Sequence, residues 1–287
     1  MNATSSKPTG PPDLRGVAHR YVDLATGVRL HVAEAGEPDA PAVVAVHGWP
    51  EHWWLWRGVI GPLAERFRVL AIDLRGFGWS SPAPDGDYRK ERLVEDLLAL
   101  LDAEGIDRVN HLGHDWGGFV GFLLARRAPE RVRRLMVCNI VAPWTPARRM
   151  LPHVWRLAYQ PLVGAPVLGP ALHRDGRLPR AALRSAMSEA DAEIFLERLR
   201  RPDQAAAGAA YYRQFLLREL PGVALSGRPR LPMPVKVLFG ARDRVLRPGM
   251  LEGAPYEVEL VPDAGHFLVD QRPELVAERA RAFFEAG

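Results

Sequence analysis

Apolar and polar residues alternate along the chain in two rhythms, and the rhythm changes twice. The stretches "HRYVDL" (19–24) and "VRLHVAEA" (28–35) alternate with a period of about two around an "ATG" turn, which predicts an antiparallel hairpin. Four short, nearly continuous apolar runs follow: "AVVAVHG" (42–48), "RVLAIDLRG" (68–76), "VNHLGHD" (109–115) and "RLMVCNIV" (134–141). Such runs predict strands buried on both faces, as in a parallel sheet. Between them "EHWWLWRGVIGPLAERF", "YRKERLVEDLLALLDAEG" and "WGGFVGFLLARRAPE" carry helical spacing. Strand–helix alternation predicts an α/β fold with a mostly parallel, doubly wound sheet and right-handed crossovers.

The alternation stops near Ala142. From there to Arg230 the pattern predicts helices broken by Pro and Gly, with no convincing strand. Strands resume with "PVKVLFG" and "YEVELVP", and "RPELVAERARAFFEA" closes as an amphipathic helix. The expected organisation is a flexible leader (1–18), an α/β core (19–141), an inserted helical cap (142–230) and the rest of the core (231–287).

Composition narrows the classes of function. A chain of 287 residues, 47% hydrophobic and 25% charged, fits one large globular domain carrying an insertion. The net charge of +4 comes from arginines that are scattered or at helical spacing, not from a basic stripe, so no nucleic-acid partner is expected. The single cysteine, Cys138, excludes an intramolecular disulfide and a multi-cysteine metal site; inside "LMVCNIV" it reads as a buried, inert thiol. The first residues lack an apolar signal core, and no run approaches the ~18 apolar residues of a membrane span. The expectation is a cytoplasmic monomer or homodimer with no membrane partner.

The chemistry concentrates in "LGHDWGGFVGFLLA" (112–125), where a polar glycine-rich corner joins a strand to a helix. This is the nucleophile-elbow arrangement: Gly113 and Gly117 tolerate a strained corner, Gly118 and Gly121 let the helix approach the sheet, and the corner residue projects into a pocket. Here it is Asp115, where a serine would suit acyl chemistry. A corner carboxylate could serve only as a helix N-cap, but two more motifs fit a nucleophile. In "HGWP" (47–50) the Trp49 amide would join that of Trp116 in an oxyanion hole. Asp243 in "GARD" and His266 in "AGHF" complete the order nucleophile, acid, base.

With those motifs in hand, the sequence resembles the α/β-hydrolase fold epoxide hydrolases, from about Val22 to Phe284. The motifs "HGWP", "DLRGFGWS", "GHDWGG", "GARD" and "AGHF" occur in the family's order. The Asp73–Ser80 loop reads as structural rather than as a phosphate cradle. The resemblance implies two cap tyrosines that hydrogen-bond the epoxide oxygen: Tyr159 in "WRLAYQP", and Tyr212 in "AAYYRQF". Neighbours on a helix point about 100° apart, so Tyr211 is assigned to packing or the pocket wall. The expected catalytic set is Asp115, Asp243, His266, Tyr159 and Tyr212. The expected pocket is formed by Trp49, Pro50, Phe77, Trp116, Trp155 and Tyr211, with no metal and no cofactor. The implied substrates are a hydrophobic epoxide and water.

Two other readings use the same residues. A haloalkane dehalogenase shares the Asp–Asp–His plan and would use Trp116 as a halide ligand. Its usual second ligand is an asparagine in the slot held here by Trp49, so Trp144 or Trp155 would have to substitute. Fluoroacetate dehalogenases usually carry arginine where Trp116 stands. The third reading is a non-catalytic ligand-binding hydrolase fold; a full triad argues against it, although fold alone never proves activity.

Overall fold

The computed structural model describes residues 10–184, 186–220, 222, 227 and 229–286. Met1–Thr9 of the expected leader lie outside the described residues. The rest of that leader is not loose throughout: Leu14 and Val17 pack against the core before the first strand begins at Ala18.

Eight strands form one sheet in the order β1-β2-β4-β3-β5-β6-β7-β8. The hairpin is β1 (Ala18–Asp23) and β2 (Arg29–Ala35), antiparallel to each other, and β2 is antiparallel to β4. The strands β3 (Ala42–Val46), β4 (Arg68–Ile72), β5 (Val109–His114), β6 (Val132–Cys138), β7 (Val235–Gly240) and β8 (Glu257–Val261) run parallel. In β3 every residue is buried. Val44 and Val46 join one apolar cluster while Val43 and Ala45 join the other, so each sheet face has its own core.

Helices cover both faces: α1 (Arg57–Ala64), α2 (Lys90–Ala103) and α3 (Trp116–Arg127) come from the first half. Between β6 and β7 the described residues contain no strand. They form α4 (Ala147–Met150), a 3-10 segment Leu151–Leu157, α5 (Gln160–Val163), α6 (Leu168–Asp175), α7 (Arg177–Leu183), α8 (Glu189–Leu199) and α9 (Pro202–Gln214). A π turn, Phe215–Glu219, follows. The chain closes with α10 (Leu268–Gln271) and α11 (Pro273–Glu285), the latter packed beside α1. Among the described residues no helix is long and apolar enough to cross a membrane.

The Asp73–Ser80 loop is structural, and its hydrogen bonds show why. Asp73 is fully buried and accepts from the Trp53 amide at 2.7 Å and the Trp79 amide at 2.8 Å, with His31 Nδ1 at 2.8 Å. Next to it Arg75, also fully buried, makes a two-pronged contact with Asp96.

Candidate active site

The C-terminal ends of the parallel strands deliver the polar residues to one place. At the end of β5 the chain turns through Asp115 with φ 48° and ψ −120°, a conformation side chains rarely adopt, and enters α3 immediately. The surroundings force this corner. A Cβ at Gly117 would lie 2.0 Å from the Val46 carbonyl oxygen, and one at Gly48 would lie 2.4 Å from the Asp115 Cβ. Only glycine lets the β3 loop and the start of α3 close around the carboxylate.

That carboxylate faces hydrogen-bond donors. The Trp49 amide donates to Asp115 Oδ2 at 3.0 Å. Trp116 opens α3, where amides have no intrahelical acceptor and the helix dipole favours negative charge. His266 Nε2 stands 3.9 Å from Asp115 Oδ1, too far for a direct hydrogen bond. Its Nδ1 lies 2.8 Å from Asp243 Oδ2. Asp243 Oδ1 accepts from the amides of Val245 and Leu246, at 2.7 and 2.9 Å, and Asn139 Nδ2 donates to Oδ2 at 2.8 Å. Burial alone would raise the Asp243 pKa; His266 and these donors outweigh it and hold it below the usual carboxylate range. Burial alone would lower that of His266, yet the two carboxylates Asp243 and Asp115 push it up to about 9.

A cavity of about 580 Å³ opens above Asp115 and His266. The helical insertion supplies part of its wall through Tyr159, Leu178, Ala181, Ala182 and Tyr212. The two phenol rings lie 6.1 Å apart, centre to centre. Burial, reinforced by the negative Asp115, pushes the Tyr159 pKa up to about 12; burial, then Tyr159 and Asp115, raises that of Tyr212 well above the ordinary phenol value. Both phenols therefore keep their protons and can act as donors.

A description of the alpha/beta hydrolase fold matches residues 41–273. The chain belongs to this family. Within the α/β hydrolases it is similar to epoxide hydrolase 3 of Xenopus tropicalis, 29% identical over 93% of this chain and 78% of that one. It is also similar to the soluble epoxide hydrolase of Corynebacterium sp. (strain C12), 28% identical over 91% of this chain and 95% of that one. Among solved structures, the epoxide hydrolase VrEH1 from Vigna radiata superposes with a TM-score of 0.82 at 26% identity, covering 96% of this chain and all of that one.

The hydrolase pocket differs from the sequence expectation in several of its walls. Trp49 lines the cavity, but Pro50, Phe77, Trp116, Trp155 and Tyr211 do not. Pro50 follows a cis peptide bond in the loop after β3. Phe77 is buried edge-on against His47 and Tyr211, deeper than the cavity floor. The Trp116 ring lies behind Tyr212, packed on Phe119 and Phe215. Trp155 is 65% exposed on the insertion, where the Arg156 guanidinium covers its ring. Tyr211 turns into the core and donates to the Arg75 carbonyl at 2.9 Å, which leaves Tyr212 as the member of the pair facing Asp115.

Other residues of the site carry little or no sequence signal. Asn139, with φ 49°, ties Asp243 to the Gly265 carbonyl; an asparagine ending an apolar strand run is the one available hint. His114 Nε2 lies 2.9 Å from the His266 carbonyl oxygen and steadies that loop, while its Nδ1 is bound to Glu51. His173 accepts from the Trp49 indole N–H at 2.9 Å, linking the insertion to the loop after β3. Leu178, Ala181 and Ala182 on α7 are pocket residues that nothing in the pattern marks out.

Proposed function

We propose that this chain is an epoxide hydrolase that opens a hydrophobic epoxide through an Asp115 ester and releases a vicinal diol. The observation that carries this reading is a carboxylate, rather than a serine, at the elbow beneath two phenols that keep their protons. With Oδ2 held by the Trp49 amide, Oδ1 attacks an epoxide carbon and the C–O bond of the ring breaks. Tyr159 and Tyr212 of the cap hydrogen-bond the ring oxygen as its negative charge grows, and one of them supplies the proton. His266, oriented by Asp243, then takes a proton from water, whose oxygen adds to the ester carbonyl carbon. The Trp49 and Trp116 amides bind the tetrahedral anion. Collapse frees the second hydroxyl, which takes its proton from His266, while the restored Asp115 carboxyl returns a proton to the phenol. The names of the similar proteins, 28–29% identical over most of this chain, support the reaction.

The dehalogenase reading is weakened by the Trp49 indole, whose N–H is already bound to His173. An assay of diol and halide release, run in parallel on epoxides and haloalkanes, tests the choice. Diol without halide is expected; halide release would transfer the chain to the dehalogenases.

The phenols should act in ring opening. Tyr212→Phe and Tyr159→Phe are each expected to slow alkylation about 10-fold to 100-fold, the scale of one lost hydrogen bond to a charged oxygen, read by rapid-mixing single-turnover kinetics, and Tyr212→Phe/Tyr159→Phe together more. Unchanged alkylation in both single variants would remove the tyrosines from the mechanism.

The His266 pKa gives a pH prediction. In the resting site Asp115 helps hold it near 9; esterification removes that charge, so the imidazole becomes the free base at lower pH just when a base is required. Ester hydrolysis should therefore rise with pH and level off below about 9. Asp115→Ala, which also lacks the charge, should show a lower His266 pKa by NMR titration than the parent. As a stability contribution the sign is opposite: it is fully present below the ordinary imidazole value of 6.5 and is lost as pH rises through about 9.

A further inference from the structure

Lys90 is one of three lysines in the chain and opens α2 with its side chain fully buried. Its Nζ donates to the Tyr211 carbonyl at 2.7 Å and lies 3.5 Å from Glu219 Oε2. It also sits 4.3 Å from the centre of the Trp116 ring, within cation–π range. The Lys90 amide donates to the other Glu219 oxygen at 2.6 Å. The Tyr211 carbonyl also accepts from the Phe215 amide, where α9 gives way to the π turn. The ammonium therefore touches both the peptide immediately before Tyr212 and the indole against which the Tyr212 ring packs edge-on at 5.5 Å.

An ammonium is costly to bury, and a methionine of similar length would fill the space without that cost. Burial draws the Lys90 pKa down to about 8 even with Glu219 and Asp115 opposing it. Packing alone does not account for a charge here. Nor is it the only tie on α9: Tyr211 binds the Arg75 carbonyl, and Gln214 accepts from the Tyr88 amide at 2.8 Å. Those ties act on the Tyr211 and Gln214 side chains, whereas Lys90 binds the main-chain carbonyl that precedes Tyr212.

We propose that Lys90 is a positioning residue for ring opening, its ammonium bracing the Tyr211 carbonyl and the Trp116 ring so that the Tyr212 phenol is held over Asp115. This inference rests on the epoxide-hydrolase reading. Parent enzyme that yields no diol from any epoxide would sink that reading, whereas Lys90 is judged only where the parent alkylates. Lys90→Met is expected to slow alkylation about tenfold, short of the roughly 100-fold that a 1 Å misplacement can cost, with substrate affinity and ester hydrolysis near the parent values. Lys90→Arg should recover part of the rate. In the Tyr212→Phe background Lys90→Met should add little, because it acts through the phenol. Parent-like alkylation in Lys90→Met overturns the proposal. So does an equal loss in binding, alkylation and hydrolysis, or a full tenfold loss that persists without the Tyr212 hydroxyl. Should Lys90→Met not fold, Glu219→Gln keeps the shape and removes the counter-charge. It is expected to slow alkylation about threefold while sparing hydrolysis, and unchanged alkylation there counts against Lys90 in the same way.

Discussion

Asp115→Ala is expected to abolish diol formation, by at least about 10⁴-fold, while the protein stays folded. The strained corner is shaped by the glycines around it and not by the carboxylate, which accepts from the Trp49 amide; that donor would face the cavity in the variant. Loss of activity alone would not distinguish a nucleophile from a general base, so the decisive experiment uses the parent enzyme. A single turnover in ¹⁸O-labelled water should place the label on the Asp115 carboxylate and unlabelled oxygen in the diol. The reason is that water attacks the ester carbonyl carbon, and the oxygen leaving with the product is the one Asp115 contributed. Label found only in the diol would mean direct attack of water on the epoxide and would end the covalent mechanism.

His266→Gln should produce the complementary failure. Ring opening draws on Asp115 and the two phenols, none of which depends on the imidazole, so the ester should still form. Its hydrolysis should fall by about 10²–10⁴-fold, the usual contribution of a positioned general base. The trapped species should appear in intact-protein mass spectra as one added substrate mass. The His266 loop should survive the change, because His114 holds it through the His266 main-chain carbonyl and not through its side chain. A variant that turns over at the parent rate would show that His266 is not the base. One that never acquires the adduct would place His266 in the first step instead.

The local logic of this protein is written in its chain. Period-two alternation marks the β1–β2 hairpin, and continuous apolar runs mark the parallel strands, because a strand buried on both faces has no polar side to show. The elbow is equally legible, since its steric demands fall on residues a few positions apart: Gly113, Asp115 and Gly117 announce a strained corner before any tertiary contact is known. The order of Asp115, Asp243 and His266 follows from strand ends that a parallel sheet must bring to the same edge.

Tertiary packing decided everything that depends on which way a side chain turns. Trp155 had the aromatic character of a pocket wall, yet the 3-10 segment that carries it faces solvent. Phe77 and Trp116 were taken up by the layer beneath the cavity, against Tyr211 and Phe215. Helical spacing could say that Tyr211 and Tyr212 diverge; only the tertiary structure shows Tyr211 turned to the buried Arg75 carbonyl and Tyr212 lining the cavity. Asn139, His114 and His173 gain their partners from segments about 100 or more residues away, or from a different layer. Sequence periodicity reports the average environment of a face, whereas these positions depend on single hydrogen bonds made once distant segments have met.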